Sequence, residues 1–144
     1  MPNPTEKTSA MLPTPSELIP IKVSADVVLV RQAVRAMAAK IGFSLVDQTK
    51  IVTAASELAR NAFEHGGGGS AVLEIVGQGT KTGLRITFED QGPGIPDVDL
   101  ALKDGFTSGG GMGLGLGGSK RLVSEFHLHT AVGVGTRVTI TKWK

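Results

Sequence analysis

Glu57 and Asn61 stand four residues apart, the spacing at which two side chains share one face of a helix and can address the same bound group. The asparagine carbonyl oxygen suits a hard cation such as Mg²⁺, which takes few protein ligands, and the glutamate can accept a proton from a hydroxyl. Asp90 opens the run Asp90-Gln91-Gly92-Pro93-Gly94 directly after a strand-like stretch. An ionised carboxylate only accepts hydrogen bonds, so it can take the amino group of adenine and discriminate against guanine, whose matching atom is itself an acceptor. Gly92 and Gly94 would let the backbone come close to that ligand. A third feature is Gly109-Gly110-Gly111, followed by Gly113-Leu114-Gly115-Leu116-Gly117-Gly118. It has the character of a hinged cover running into a helix start, whose free N–H groups attract phosphate.

Each feature alone has an ordinary alternative: a solvated helix face, an aspartate opening a turn, a flexible linker. Their order and the glycine distribution argue for one nucleotide site, since seventeen of the twenty glycines fall between Gly66 and Gly118. Two other motifs fail on context. Gly113, Gly115 and Gly118 match the dinucleotide-binding glycine pattern, yet no strand immediately precedes them and no acidic residue follows about twenty positions on. Gly118-Ser119-Lys120 has the wrong order for a phosphate-binding P-loop. His65, His127 and His129 lack carboxylates at ligand spacing and read as core or surface histidines, with His65 helping to close a helix.

The elements that must position these residues follow from periodicity. Residues 1–17 carry four of the seven prolines and little apolar content, so they are expected to form a flexible arm outside a single domain spanning 18–144. Leu18-Ile19-Pro20-Ile21-Lys22-Val23 fits an edge strand because it contains proline. Ser24 is placed to cap a helix whose buried stripe is Val27, Val30, Val34, Met37, Ala38 and Ile41, closed by Gly42. Ser44-Leu45-Val46-Asp47 has capping-box spacing and should start a second helix reaching towards His65, with Gly66 to Gly69 stopping it. On that helix Ile51, Val52, Ala55, Leu58, Ala59, Ala62 and Phe63 share one arc, and Glu57, Arg60, Asn61 and Glu64 the other. Strands are expected at 71–76, 84–89, 127–130 and 136–141, the first two joined through a turn at 79–83 and the last two separated by Gly133-Val134-Gly135. A short helix at 97–104, a loop at 105–112 and a helix at 119–126 complete the reading. The fold class is an α+β two-layer sandwich with a mixed, mostly antiparallel sheet and helices on one face.

Composition bounds the function. The length of 144 residues with 40% hydrophobic content suits one domain with a real core. Without cysteine there are no disulfides or thiolate metal sites, which accords with a reducing cytoplasm, the expected compartment. No apolar run approaches the roughly 20 residues that span a bilayer, so no membrane role is expected. A net charge of +2 with basic and acidic residues interspersed, and 4% aromatics, gives no basic stripe or stacking platform for nucleic acid.

The same residues resemble the GHKL superfamily of histidine kinase catalytic domains, gyrase and Hsp90. Its N-box is matched by Glu57-x-x-x-Asn61-Ala62-x-x-His65, its first glycine box by Asp90-x-Gly92-x-Gly94, and its second by Gly113-x-Gly115-x-Gly117, with Gly135-Thr136 as the terminal pair. The match covers nearly the whole chain after residue 20. Within the superfamily the chain is most similar to the switch serine/threonine kinases of the bacterial stressosome, through Ser56 to Asn61, Glu89 to Asp97, Asp104 to Thr107 and Ser119 to Val123. The resemblance implies ATP and Mg²⁺, phosphorylation of Ser or Thr on STAS-domain proteins of a stressosome scaffold, and partner switching to a PP2C-type phosphatase. It assigns Glu57 as general base and Asn61 as Mg²⁺ ligand. Asp90 would read adenine, helped by Thr136, with Gly92 and Gly94 admitting the base. Thr107 and the segment containing Gly111, Gly113, Leu114 and Gly115 would close over the phosphates. Two rival readings are an anti-sigma factor kinase that sequesters a sigma subunit, and a nucleotide-gated binding module without significant catalysis. Arg60, just before Asn61, favours the switch kinase.

Overall fold

The computed structural model describes residues 16–103 and 115–144. Its element order is β1 (Ser16–Ile21), α1 (Ala25–Lys40), α2 (Leu45–Glu64), β2 (Gly69–Gln78), β3 (Lys81–Asp90), α3 (Val98–Ala101), α4 (Leu116–Arg121), β4 (Glu125–Ala131) and β5 (Gly135–Trp143). The strands form one sheet in the order β1-β2-β3-β5-β4, and every pairing is antiparallel. The expected two-layer sandwich is present, at the antiparallel limit of the sequence reading.

Alternation with period two turns one face of the sheet to the helices. Register aligns Ile19, Ala71, Phe88, Val138 and Leu128 in one row across all five strands, and Leu73, Ile86, Ile140 and Phe126 in the next. These rows meet Val30, Val34 and Ala38 of α1 and Ile51, Ala55, Leu58 and Ala62 of α2 in one core. Ala54 is buried there as well.

The helix ends follow local chemistry. Ser44 Oγ accepts from the Asp47 N–H at 3.1 Å, as the capping-box spacing predicts. Ser24, the expected cap of α1, is helical and makes no side-chain cap bond. Asp26 acts instead: its Oδ2 accepts from the N–H groups of Lys22 and Val23 at 2.8 and 3.0 Å. An acidic side chain one residue inside the helix reaches back and ties down the connection from β1. Gly42, at φ +91°, ends that helix hairpin arm as expected.

Four boundaries differ from the sequence reading. Ser16 and Glu17, assigned to the arm by composition, pair with Glu74 and Leu73 in β1. The β2–β3 ladder runs on to Gln78 and Lys81, leaving Gly79 and Thr80 as a two-residue loop with Gly79 at φ +62°. Tight antiparallel pairing thereby absorbs most of the expected turn. The short helix is confined to Val98–Ala101, capped by Asp97 Oδ1 accepting from Leu100 N–H at 3.0 Å. The helix expected at 119–126 lies at Leu116–Arg121, because Glu125 and Phe126 pair with Thr141 and Ile140 at the start of β4. Leu122, Val123 and Phe126 still reach the core, so an apolar spacing that looked helical is satisfied by a turn and a strand.

Candidate functional site

The site lies where three strand ends meet the C-terminal end of α2. Asp90 closes β3 and is paired with Gly69 on one side and Thr136 on the other, and Thr136 is in turn paired with Thr130. Asp90, Thr136 and Thr130 continue the inward-facing rows of Phe88, Val138 and Leu128, so their side chains point to the helix layer. Beyond the last apolar row the sandwich opens into a pocket. Its apolar walls include Leu58, Ala62, Phe88, Ile95, Leu116 and Val138, and its polar edge includes Asn61, Asp90 and Thr136. A mostly apolar concavity with a few convergent polar groups suits a flat heteroaromatic ring with one hydrogen-bonding edge.

Asp90 is held as an acceptor. Its Oδ1 takes the Gly92 N–H at 2.9 Å. Burial pushes its carboxyl above the ordinary value, and the backbone hydrogen bonds from Gly92 and Thr136 oppose that shift. The surrounding glycines permit the closeness. A Cβ at Gly66 would meet the Asp90 side chain, one at Gly92 would sit 2.6 Å from the Gly66 Cα, and Gly94, at φ +77°, runs against the backbone at Ala131.

Asn61 lines the same pocket, one helical turn beyond Glu57. Glu57 is not among the residues lining this pocket and lies next to the start of α4: a Cβ at Gly115 would fall 2.5 Å from the Glu57 Cγ. Gly115 takes φ +64° as the residue before α4, and the next residue, Leu116, forms pocket wall. Glu57 thus flanks the helix start to which the glycine-rich segment leads. Its Oε2 accepts from Arg60 Nη1 at 2.9 Å, in a pair open to solvent.

Of the residues expected from sequence, Asn61, Asp90, Gly94 and Thr136 are brought around one pocket, with Gly92 behind Asp90 and Glu57 beside Gly115. Thr107, Gly111, Gly113 and Leu114, and with them the expected loop at 105–112, lie outside the described residues. His127 and His129 are exposed on β4, and no cluster of three potential metal-ligating side chains occurs among the described residues.

Sequence reasoning missed three contributors. From sequence Gly66 is only a helix stop, though its lack of a side chain is what admits Asp90. His65 closes α2 as expected, through its N–H to the Asn61 carbonyl, but its place in the pocket wall was not foreseen. Thr130 appeared only as a strand residue, yet its hydroxyl accepts from Ile95 N–H at 2.9 Å and contacts Thr136 Oγ1 at 2.9 Å. Only strand register could have revealed it.

Comparison with known proteins agrees with this geometry. Residues 46–144 match the family described as histidine kinase-, DNA gyrase B-, and HSP90-like ATPase. The chain is 48% identical over 118 residues to the serine/threonine-protein kinase RsbT of Bacillus subtilis (strain 168), covering 82% of this chain and 89% of that protein. Among solved structures, the RsbU and RsbW domains of Rv1364c from Mycobacterium tuberculosis align with a TM-score of 0.62 at 24% identity, over 92% of this chain and 34% of the other. This chain therefore spans about a third of that longer structure. The catalytic domain of histidine kinase ThkA aligns at 0.50 with 16% identity, over 88% of this chain and 95% of that one. The two structural likenesses speak for the fold alone. Taken with the family match and the RsbT relative, the chain belongs to the histidine kinase-, DNA gyrase B- and HSP90-like ATPase family and, within it, to the serine/threonine-protein kinases.

Proposed function

We propose that this kinase transfers the γ-phosphate of ATP to a Ser or Thr hydroxyl of a STAS-domain protein and, when released, engages a PP2C-type phosphatase in a partner-switching stress pathway of the cytoplasm. The proposed domain is the segment 18–144, to which β1 adds Ser16 and Glu17. The observation that carries the site reading is the convergence of Asn61 and Asp90 on one pocket, with Glu57 at the helix start alongside.

Phosphoryl transfer asks mainly for positioning and charge neutralisation. In this reading Asp90 and Thr136 hold the base edge, Gly92 and Gly94 let the ring lie against backbone, and the segment through Thr107, Gly111, Gly113, Leu114 and Gly115 covers the phosphates. Asn61 would hold Mg²⁺ by its neutral side-chain oxygen, the donor type that ion accepts, and the ion when bound would neutralise phosphate charge. Glu57 accepts the proton of the acceptor hydroxyl as that oxygen attacks phosphorus, and ADP leaves. Glu57 is suited to the task by its access to solvent, which leaves room for a partner's side chain beside it.

The test is incubation with labelled ATP, Mg²⁺ and candidate STAS-domain proteins. Glu57→Ala should bind ATP normally yet transfer phosphate about 10²- to 10⁴-fold more slowly, the usual contribution of a general base. Asn61→Ala should lose the Mg²⁺-dependent part of ATP binding. Normal transfer rates in both variants would refute the assignments.

A further inference from the structure

The described surface holds other candidates, including the open β1 edge and the exposed histidines of β4, but the contacts around Thr130 carry an inference furthest. The geometry points to Thr130 as a positioning residue that fixes Thr136 as a hydrogen-bond acceptor and so makes the pocket selective for a 6-aminopurine over a 6-oxopurine. The inference rests on the ATP-site reading above and extends it to a residue that does not itself line the ring pocket.

A threonine hydroxyl has one proton to donate and two lone pairs to accept with. Thr130 Oγ1 accepts from the Ile95 N–H at 2.9 Å. It also lies 3.2 Å from the carbonyl oxygen of Gly135, which can only accept, so the Thr130 proton goes there. Thr136 Oγ1 lies 2.9 Å from Thr130 Oγ1. With the Thr130 proton already committed, that contact forms only if Thr136 donates. The Thr136 proton is therefore turned away from the pocket, and its lone pairs are what remain for a ligand.

Beside it stands Asp90, paired with Thr136 across the ladder and likewise an acceptor when ionised. Two acceptors at one edge match the two N–H bonds of an exocyclic amine. They oppose the lone pairs of a carbonyl oxygen in the same place, the difference that separates adenine from hypoxanthine or guanine. Thr130 has a second effect, since its bond to Ile95 holds the loop after Asp90 against the end of β4 and sets one wall of the pocket. A purely structural role would end there, and would weaken all purine nucleotides alike.

The test compares equilibrium binding of ATP and inosine 5′-triphosphate, which differ chiefly at the 6-position, in the full chain and four variants. The unaltered chain should prefer ATP. In Thr130→Val the Thr136 hydroxyl is free to turn and donate to a 6-oxo group, so the preference should shrink roughly 5- to 10-fold, the worth of about one hydrogen bond. Thr130→Ser should keep the preference. Adding Thr130→Val to Thr136→Val should change it less than about 2-fold, because the first residue acts through the second. Equal weakening of both nucleotides by Thr130→Val would overturn the inference. So would equal binding of the two by the unaltered chain, which needs no variant to fold. Failure of the unaltered chain to bind ATP at all would overturn the site reading and the inference together.

Discussion

Replacing Asp90 by asparagine separates what the site needs from what the fold prefers. The Gly92 N–H reaches Asp90 Oδ1 at 2.9 Å and the Thr136 backbone N–H also bonds this carboxylate. Two donors held by the backbone demand an acceptor, so the asparagine oxygen turns to them and its NH₂ faces the ring edge. A charge-assisted acceptor is lost and a donor is set against the amine of adenine. Hydrogen bonds to charged groups contribute about 1.5–3 kcal/mol, so ATP binding should weaken by roughly 10- to 150-fold. Stability should move the other way. Because burial raises the carboxyl pKa in the folded chain, the native state binds more protons than the unfolded one between the ordinary aspartate value and the raised one. Stability of the nucleotide-free chain then falls as pH rises through that window, and the deficit persists at neutral pH. Asp90→Asn lacks this ionisation, so without nucleotide it should unfold no more easily than the parent at pH 7, with the parent's relative deficit shrinking as pH is lowered into the window. Titration calorimetry with ATP and Mg²⁺, and denaturant unfolding at several pH values, read the two effects. ATP affinity within about 3-fold of the parent would refute the hydrogen-bond reasoning. A variant clearly less stable at pH 7, with no pH-dependent difference, would refute the burial argument.

Other outcomes follow from packing. Gly66→Ala places a Cβ 2.6 Å from the Asp90 Cβ and 2.7 Å from the Ala62 carbonyl oxygen. Overpacking of that kind costs about 1–3 kcal/mol, and here it should also displace Asp90, so urea midpoint and ATP affinity should fall together. Leu73→Ala, at a fully buried position in the middle of β2, should cost about 2–5 kcal/mol in urea unfolding while the remaining folded protein binds ATP normally. A matching loss of affinity in the folded Leu73→Ala protein would contradict the view that the site rests on the sheet end rather than on the central rows.

Most of the element plan was legible because it is written in short-range terms. The α2 stripe, the Ser44 cap and the proline-bearing edge strand depend on residues within a few positions of one another, and each is present, the strand displaced by two residues towards the N-terminus. The misreadings came where a distant partner outweighed local pattern. Phe126 has helical spacing from Leu122, yet pairing with Ile140 draws it into β4. Ser16 and Glu17 follow a proline-rich run, yet Glu74 and Leu73 offer them a ladder. Ser24 has the right residue type for a cap, but the carboxylate of Asp26 takes the neighbouring N–H groups instead.

The site divides in the same way. Residue chemistry and order alone determined that Glu57, Asn61 and Asp90 could serve a nucleotide, because a carboxylate only accepts, an amide oxygen tolerates a hard cation, and a helix sets residues four apart on one face. Only tertiary structure decided that Asn61 and Asp90 face a single pocket, that Gly66 must be bare for Asp90 to fit, and that Thr130 stands behind Thr136. Those relations are set by strand register and by the approach of α2 to the sheet end, where contacts link residues far apart in the chain. No local periodicity encodes them, since each depends on how two separately formed surfaces pack.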